Sequence, residues 1–475
     1  MIDAGPIACK PSPRDGLRLH VGLRPCCRES RKSRHSLTRS DAAAYTPTMP
    51  VEMILIPHNK GVPRCNRASE GSAIQLNDGR ILYVYTHYYY QTGHDIDACE
   101  LRGLISSDAG GEQWGEPFVV QANDARINTM IVSLIRLGTA GKTDLKAVQS
   151  GSDDVLAGTE GGALGMLYVK HETKHTNGIH FRLSRDEGLS WSREVRINSI
   201  PTYSNLTMNN DSAIVLSSGR ILVPVQASFG GVYGSYVYYS DDEGSSWNRC
   251  DDEMLLKQTV NRSDGASRVL GYTHFEEPNL VELKDGQVLM IGRNITGRMW
   301  TSTSADQGET WCDPKPTDIA TSYSPVSIRR IPSSQDLLLI WNHASPDEIA
   351  SGWGRMRMSC AVSRDDGKSW DHFKNLESLN DVGYIRPTQV GAAYDVMSEI
   401  AAIASRMRGV DRDPPDLQVY PRAYTGYWHV DYPSLTFLRD DRALITYGVY
   451  GGAPEMPIEN TGCKLRILPV SWFYQ

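Results

Sequence analysis

The sequence predicts an all-β fold, a six-bladed β-propeller with Asp-box turns, from two repeated patterns. An eight-residue motif, Ser-x-Asp-x-Gly-x-[Ser/Thr]-Trp, occurs four times without error. A first-strand pattern of alternating apolar residues that runs into Gly-x-apolar-apolar occurs in four clear copies and two looser ones. Such repeats indicate one supersecondary unit that buries its apolar faces against its neighbours. We therefore expect six four-stranded blades around a central channel.

The eight-residue motif predicts a hairpin turn in each blade. Its Asp carboxylate accepts hydrogen bonds from backbone N–H groups, its Gly takes a left-handed conformation, and its Trp packs back between strands. The exact copies begin at Ser184, Ser240, Ser304 and Ser363, and a looser fifth copy runs from Ser106 to Trp114. Successive Trp residues lie 77, 56, 64 and 59 positions apart, which fits one blade per turn. These turns are expected to be structural and to carry no chemistry.

The second pattern marks the first strand of each blade. Its clear copies end at Leu82, Leu222, Leu289 and Leu444, and the looser copies lie near 130–137 and 326–338. The first strands of a propeller line its channel, so equivalent positions should surround one funnel. Counting back nine residues from the Gly of each clear copy, which is Asp441 in the last, reaches Glu70, Asn210, Glu277 and Tyr432. We expect these polar side chains to form one site.

Other segments are predicted to lie outside the regular blades. Residues 1–48 hold nine Lys and Arg against four Asp and Glu with little apolar periodicity, which is typical of a disordered basic arm. The propeller is expected over 49–475, with insertions at 138–162 and 376–424.

Ring closure can also be predicted from the chain ends. A propeller leaves exposed strand edges unless its last blade is completed from both ends of the chain. The apolar segments 51–57 or 463–475 should therefore supply strands to the blade that Tyr432 begins.

Composition narrows the classes of function. A net charge of −7 and a pI near 6.0 argue against nucleic acid as the main partner. No stretch approaches the roughly 18–20 apolar residues of a membrane-spanning helix, so no membrane association is expected. The N-terminus lacks the apolar core of a secretory signal, and the nine cysteines are scattered without metal-type spacing. We expect a cytoplasmic protein with no metal ion or other cofactor.

Four features resemble the sialidase (neuraminidase) superfamily, and particularly its uncharacterised sialidase-like members, over about residues 60–470. The first is Glu277 with Arg293 sixteen residues later, and the second is Arg355 eight residues before the last Asp box. The third is Tyr432-Pro-Ser-Leu, which resembles the family's Tyr-x-Ser-Leu, and the fourth is Gly-His-Asp-Ile-Asp (93–97) before the first box. In the last of these the spacing favours Asp95 as the family's catalytic Asp, with Asp97 in reserve.

The resemblance implies a role for each matching residue. Tyr432 would be the nucleophile, and Glu277 would take the proton of its phenol. Asp95 would be the acid/base. Arg293 and Arg355 would bind an acidic or strongly polar group of the sugar, since the guanidinium fork meets a carboxylate with two parallel hydrogen bonds.

The chain departs from the family at the start of the first blade. Sialidases carry Arg-Ile-Pro there, whereas this sequence reads Arg64-Cys-Asn-Arg67-Ala-Ser-Glu70-Gly. Arg67 lies two positions upstream of the family position and remains a candidate substrate-binding residue, together with Glu70 and Asn210. A carboxylate at Glu70 would repel an anionic sugar group. The identity of the sugar therefore stays open.

The expected function is that of an exo-acting glycoside hydrolase with a carbohydrate or glycoside as its partner. Glycosidases need an acid for the leaving oxygen and a second group on the opposite face of the sugar, and a Tyr nucleophile suits an acidic sugar. The predicted substrate is a terminal, acidic sugar on a glycan or a small-molecule conjugate. Two alternatives stay open: a lyase for uronate-linked sugars with His87 or His94 as base, and a propeller that only binds a glycan or a protein.

Overall fold

The computed structural model describes residues 50–57, 68–89, 95–138, 162–173, 176–199, 204–229, 231–261, 267–350, 353–387, 429–450 and 461–475. These residues form 27 strands, a five-residue helix (Pro346–Ala350) and a 3₁₀ turn (Val470–Tyr474), which confirms the all-β class. Within these ranges no helix has the length and apolarity to cross a membrane. The predicted basic arm, 1–48, and most of the predicted insertions 138–162 and 376–424 lie outside the described residues.

Six antiparallel sheets in the described part of the chain form the blades, with strands numbered along the sequence from β1 (Val51–Pro57). Blade 1 contains β2 (Ala68–Gln75), β3 (Ile81–Tyr88), β4 (Cys99–Ile105) and β5 (Phe118–Gln121). Blade 2 contains β6 (Asn128–Arg136), β7 (Leu164–His171), β8 (Asn177–Ser184) and β9 (Val195–Arg196). Blade 3 contains β10 (Ser204–Thr207), β12 (Ile221–Phe229), β13 (Val232–Ser240) and β14 (Asn248–Arg249), with β11 (Ile214–Val215) paired to β12.

A two-stranded ribbon, β15 (Leu256–Asn261) and β16 (Ser267–Thr273), follows blade 3 in the sequence. Blade 4 contains β17 (Glu276–Glu282), β18 (Val288–Arg293), β19 (Arg298–Ser304) and β20 (Lys315–Ala320). Blade 5 contains β21 (Ser327–Arg330), β22 (Leu337–Asn342), β23 (Arg357–Ser363) and β24 (Asp371–Ser378). Blade 6 contains β25 (His429–Phe437), β26 (Arg442–Tyr450), β27 (Gly462–Pro469) and β1. The six-bladed arrangement is therefore confirmed.

The ring closes through both chain ends, as the sequence predicts. In blade 6 the strand order is β25–β26–β27–β1, so the N-terminal strand is the outermost one. β1 pairs antiparallel with β27 from Val51 opposite Ile467 to Pro57 opposite Gly462. Pairing the two ends satisfies an edge that would otherwise expose unpaired N–H and C=O groups. Both candidate segments contribute to the same blade.

The hydrophobic core lies between neighbouring blades. Tyr83 of blade 1 packs in one cluster with Ile467 of blade 6, and Ile291 of blade 4 packs with Trp341 of blade 5. The second strand of blade 5, β22, is buried at every position. A sheet covered on both faces has no polar side, so its inner strands read as continuous apolar runs instead of alternating ones.

The Asp boxes form the hairpin turns between the third and fourth strands. In blade 3, Asp242 Oδ1 accepts hydrogen bonds from Ser240 Oγ (2.8 Å) and Ser246 N (2.8 Å), and Oδ2 accepts one from Ser246 Oγ (2.6 Å). Gly244 has φ 86°, and the preceding Glu243 is also left-handed at φ 55°. The carboxylate therefore holds a turn that the backbone would not adopt cheaply without it. The predicted structural role of the boxes is confirmed.

Replacing the carboxylate of an Asp box should destabilise the fold without changing any residue of the pocket. We expect Asp242→Ala to lower the free energy of unfolding by about 1–3 kcal/mol, since backbone and hydroxyl donors lose a charged acceptor. Asp241→Ala is the matched control, because the Asp241 carboxylate pairs with Arg220 (2.7 Å) on an exposed surface and such pairs contribute about 1 kcal/mol or less. Urea unfolding of both variants measures the difference. Equal losses would contradict the assignment.

One buried residue of blade 3, Asp211, contacts the other five blades through its carboxylate and its backbone groups. Asp211 lies between β10 and β11 of blade 3 and is 3% exposed. Its carboxylate contacts Ser72 Oγ of blade 1 (2.6 Å), Arg329 Nη2 of blade 5 (3.3 Å) and Leu435 N of blade 6 (3.0 Å). Its backbone N–H donates to Val132 O of blade 2 (3.0 Å), and its backbone carbonyl accepts from Asn279 Nδ2 of blade 4 (3.5 Å). Burial raises the pKa of Asp211, although Arg329 and the hydrogen bonds from Ser72 and Leu435 oppose the shift.

Candidate active site

Five first strands share a β-bulge that turns one side chain toward a common pocket. The pairing register shifts in β2, β6, β10, β17 and β25. The residues with left-handed backbone there are Glu70 (φ 57°), Ile131 (φ 56°), Asn205 (φ 55°), Glu277 (φ 44°) and Tyr432 (φ 51°), and all five line the same cavity. A bulge re-aims a side chain at the cost of local strain, and strained backbone of this kind concentrates at functional sites.

The pocket has a volume of about 210 Å³, and it is lined by polar residues together with the apolar side chains of a few Ile and Met residues. Besides the five bulge residues, the lining consists of Asp95, Ile96, Ile127, Met130, His171, Thr173, Asn177, Thr207, Gln226 and Tyr233. Carboxylates, amides, hydroxyls and an imidazole thus surround a space of the size of a monosaccharide. Convergent polar groups in one concave site are what a small polar ligand requires.

Tyr432, Glu277 and Arg293 form a connected chain at this pocket. The Tyr432 hydroxyl donates a hydrogen bond to Glu277 Oε1 at 2.9 Å. Arg293 Nη1 contacts the other oxygen, Oε2, at 2.6 Å, and both of these side chains are 12% exposed. The Glu277 backbone N–H donates to Gln226 Oε1 at 2.5 Å, which ties the bulge to blade 3. The carboxylate is thereby oriented with one oxygen toward the phenol.

The surroundings of these three side chains keep the Tyr432 phenol neutral and the Arg293 guanidinium charged. Burial raises the pKa of Tyr432 well above its usual value, and the negative charge of Glu277 raises it further. Burial by itself would lower the pKa of Arg293, but Glu277 and Tyr323 outweigh it and hold that pKa well above its usual range. A reaction at the Tyr432 oxygen therefore has to transfer the phenol proton, and Glu277 is the acceptor in contact with it.

Tyr323, which precedes the first strand of blade 5, contacts both Arg293 and Arg355. The Arg293 guanidinium lies 3.6 Å from the centroid of the Tyr323 ring, and the Tyr323 hydroxyl donates to Glu276. Burial raises the pKa of Glu276. The backbone carbonyl of Tyr323 accepts a hydrogen bond from Arg355 Nη2 at 3.2 Å.

Arg355 contacts the Tyr432 side of the site but is paired internally. Its Nη1 lies 2.5 Å from Asp431 Oδ2, and its guanidinium carbon is 5.8 Å from the centroid of the Tyr432 ring. Arg355 is 8% exposed and Asp431 is 4% exposed. The neighbouring Arg357 points elsewhere and pairs with Glu348 at 2.7 Å. Of the two arginines, Arg355 is therefore the one that the fold brings to the site.

Asp95 lies in the pocket wall contributed by blades 1 and 2. The side-chain amide of Asn128 donates to the carbonyl oxygens of Asp95 (2.7 Å) and Asp97 (2.8 Å), which anchors the loop. Asp95 lines the pocket, whereas Asp97 is not among its described lining residues. His171 is close by. Burial lowers the pKa of His171 although Asp95 acts in the opposite direction, so the imidazole is neutral near pH 7.

The structure places the other predicted site residues as follows. Asn210 is 1% exposed, donates to the Gly71 carbonyl at 2.9 Å and is not among the described lining residues, so its proposed place in the funnel needs correction. Blade 3 has a gap between β10 and β11, and Asn205 takes the position that the counting rule assigned to Asn210. Arg67 and His94 lie outside the described residues. His87 contacts the rings of Tyr85 and Tyr89 and is not among the described lining residues.

Several site residues escaped the sequence analysis. Glu276 and Asp431 directly precede Glu277 and Tyr432, so a search for carboxylates beside the singled-out positions would have found them. Tyr323 precedes the looser strand copy of blade 5 without a motif of its own. Asn205, Gln226 and Tyr233 come from blade 3, whose repeat pointed to a different position. Their side chains reach the pocket only through the packing of blades.

A metal site is not apparent in the described ranges. Among the residues that the structure describes, no group of three or more His, Cys, Asp or Glu side chains is arranged to hold a metal ion. The described pocket residues can take part in proton transfer, in hydrogen bonding and, through the Tyr432 phenol, in nucleophilic attack.

Comparison with known protein families finds a family model that matches most of the chain. The family described as BNR repeat-like domain matches residues 104–445. A 147-residue segment is 29% identical to an anhydrosialidase from Macrobdella decora, and it covers 30% of this chain and 17% of that protein.

Solved structures give the same fold over most of the chain. A protein of unknown function from Dyadobacter fermentans aligns with a TM-score of 0.54 at 15% identity, covering 88% of this chain and 99% of that one. The NanB sialidase from Streptococcus pneumoniae aligns with a TM-score of 0.55 at 13% identity, covering 88% and 70%. A Trypanosoma rangeli sialidase aligns with a TM-score of 0.53 at 12% identity, covering 90% and 60%. At these identities the likeness concerns the fold alone.

Proposed function

We propose that this chain, which belongs to the BNR repeat-like domain family, is a glycoside hydrolase that removes a terminal sugar from a glycoside. The observation that carries the proposal is the hydrogen bond from the Tyr432 hydroxyl to Glu277 Oε1, at 2.9 Å, in a pocket that also contains Asp95. A phenol is a weak nucleophile unless an adjacent base takes its proton. An oriented carboxylate in contact with the phenol supplies that base.

The proposed reaction proceeds in two steps. In the first, the Tyr432 oxygen bonds to the anomeric carbon while its proton passes to Glu277, and Asp95 donates a proton to the departing glycosidic oxygen. In the second, Asp95 takes a proton from water as the water oxygen attacks the anomeric carbon, and the released phenolate regains its proton from Glu277. Arg293 holds the Glu277 carboxylate in position throughout.

The alternatives are less well supported by the described residues. A lyase with His87 as base would need that imidazole in the pocket, and it lies among the blade 1 aromatics instead. A propeller that only binds its ligand has no need for a strained Tyr and Glu in direct contact. The expectation of an acidic sugar remains a prediction. Its two intended partners, Arg293 and Arg355, already face Glu277 and Asp431.

Trapping of the glycosyl-enzyme tests the proposal directly. We expect one member of a set of fluorinated, activated glycosides of different sugars to leave a covalent adduct on Tyr432. Digestion with trypsin and fragmentation of peptide 423–439 by mass spectrometry locates the adduct. Tyr233→Phe, which removes another hydroxyl from the same pocket, is the matched control and should still be labelled. An adduct on Glu70, in peptide 68–80, would instead indicate a carboxylate nucleophile.

A further inference from the structure

The mouth of the pocket is formed by the lining residues that stay exposed to solvent. Among the described lining residues these are Asp95, Ile96 and Thr173. Tyr432 and Glu277 are less exposed, and the Glu277 side chain is 12% exposed. The proposed acid therefore lies at the mouth, and the proposed nucleophile and its base lie deeper in the pocket.

The position of Asp95 determines where the leaving group of a substrate lies. In the proposed reaction Asp95 gives its proton to the glycosidic oxygen, so this oxygen must come within hydrogen-bond reach of the carboxylate. The nucleophile and the acid act on opposite faces of the sugar. With Tyr432 attacking from inside, the leaving group points out through the mouth and lies beside Ile96.

Four apolar side chains belong to this side of the pocket. Ile96 is 50% exposed and Ile127 is half-buried, whereas Met130 and Ile131 are 2% and 8% exposed, and all four line the cavity. Ile96 comes from the segment before β4 of blade 1, and the other three lie in or directly before β6 of blade 2. The pocket is thus apolar on the side from which the acid approaches.

The bulge of blade 2 directs a hydrocarbon side chain into the pocket. Ile131 has φ 56°, a backbone conformation that a β-branched residue adopts at greater cost than Asn or Asp. The Thr86 hydroxyl oxygen accepts a hydrogen bond from the Ile131 N–H at 2.9 Å, which holds this bulge. The four other bulges direct carboxylates, an amide and a phenol to the same space. Strain of this kind concentrates at ligand sites, so Ile131 indicates an apolar contact with the ligand.

A sugar would suit the mouth poorly as a leaving group. Its hydroxyl groups lose water when they lie against a hydrocarbon side chain such as Ile96, and each one then needs a protein partner. Besides the Asp95 carboxylate, which the proposed reaction uses, Thr173 supplies the one hydrogen-bonding side chain among the described mouth residues. An apolar leaving group needs no such partners and gains from covering the exposed Ile96.

We propose that the leaving group of the substrate is apolar where it adjoins the glycosidic oxygen, an aryl or alkyl aglycone that packs on Ile96 and Ile127. The inference rests on the glycosidase function proposed above, and it names the substrate class as glycosides of small apolar molecules. Ile96 then acts as a specificity-determining residue that contacts the aglycone and not the sugar.

The first test compares two glycosides of the sugar that gives the best aryl substrate. One carries a para-propylphenyl aglycone and the other a para-(dihydroxypropyl)phenyl aglycone, so that the two leaving phenols have similar acidity and differ in polarity. The ratio of their kcat/KM values reports on the first step, in which the aglycone is still bound. We expect the propyl compound to be favoured by at least about tenfold, since each buried methylene group contributes a factor of roughly four.

The second test changes the mouth. Ile96→Thr keeps the branched β-carbon and removes apolar surface, and we expect it to lower the preference for the propyl compound by at least about threefold. Val119→Thr is the matched control, because Val119 is 51% exposed on β5 of the same blade and is not among the described lining residues. It should leave the preference unchanged. The wild-type comparison stands by itself where the Ile96 variant fails to fold.

The outcomes separate this inference from the proposed function. Hydrolysis that depends on Tyr432 but shows no preference for the propyl compound would overturn the inference and keep the glycosidase. An Ile96→Thr variant that changes selectivity between hydroxyl and acetamido groups of the sugar, and not between aglycones, would also overturn it. Hydrolysis of no glycoside would overturn the glycosidase. Binding of the two intact compounds by ligand-observed NMR then decides the inference: the propyl compound should bind more tightly, and equal binding or none would refute it.

Discussion

Tyr432→Phe is expected to lower kcat/KM by at least about a thousandfold with little change in stability. The substitution removes the attacking oxygen and keeps the ring that packs beside Arg355. It also removes one hydrogen bond, to Glu277, which is worth about 1 kcal/mol of net stability. Initial rates on the best aryl glycoside and a thermal melt of the same preparation measure both effects. Tyr233→Phe in the same pocket provides the control for loss of a hydroxyl as such.

Glu277→Gln should reduce the rate less, by roughly a hundredfold, because it removes the base and leaves the nucleophile. Its stability should fall more than that of the Phe variant, since Arg293 then remains buried beside an uncharged amide. Tyr432→Phe should therefore lose more activity than Glu277→Gln, whereas Glu277→Gln should lose more stability. Full activity of Tyr432→Phe would exclude the phenol as nucleophile and leave a carboxylate-based glycosidase or a lyase in the same pocket.

Asp211→Ala is expected to cause the largest loss of stability, about 3–5 kcal/mol, because it leaves the partly buried Arg329 guanidinium without its carboxylate. The same change removes the acceptor of Ser72 Oγ and of the Leu435 N–H, so that blades 1 and 6 each lose a contact to blade 3. Chemical unfolding followed by Trp fluorescence measures the effect. Asp211→Asn keeps the size of the side chain and should lose less.

The control for Asp211 is the exposed carboxylate of Asp241, whose replacement by Ala should cost about 1 kcal/mol or less. If Asp211→Ala unfolds at the same denaturant concentration as the wild type, the contacts at the centre of the ring are not what holds the blades together. An insoluble Asp211→Ala together with a soluble, destabilised Asp211→Asn agrees with the expectation.

The features that could be predicted from the sequence are those made by neighbouring residues. In the box from Ser240 to Trp247, the hydrogen-bond partners of the Asp242 carboxylate lie within four positions of it. The motif by itself therefore predicts the conformation of the turn. Glu277 and Arg293 lie on the two strands of one hairpin, β17 and β18, where Glu276 pairs opposite Arg293. A spacing of sixteen residues then suffices to bring them together. Ring closure followed from two apolar strands at the chain ends.

The site itself depended on contacts between blades. Tyr432 and Glu277 are 155 positions apart and meet only because β25 and β17 both carry bulges that point to the same space. The nine-residue count worked in blades with a continuous first strand. It failed at Asn210, because blade 3 interrupts that strand between Thr207 and Ile214.

The sequence by itself therefore determined the architecture, the turns and the residue types of the proposed catalytic pair, since each follows from a local pattern of apolar, glycine and carboxylate positions. Only the tertiary structure decided the charge balance of the pocket. In the sequence, Arg293 and Arg355 suggested a pair of cations that binds a substrate anion. Packed against Glu277 and Asp431, they are already neutralised, because a buried cation is stable only beside a counter-charge.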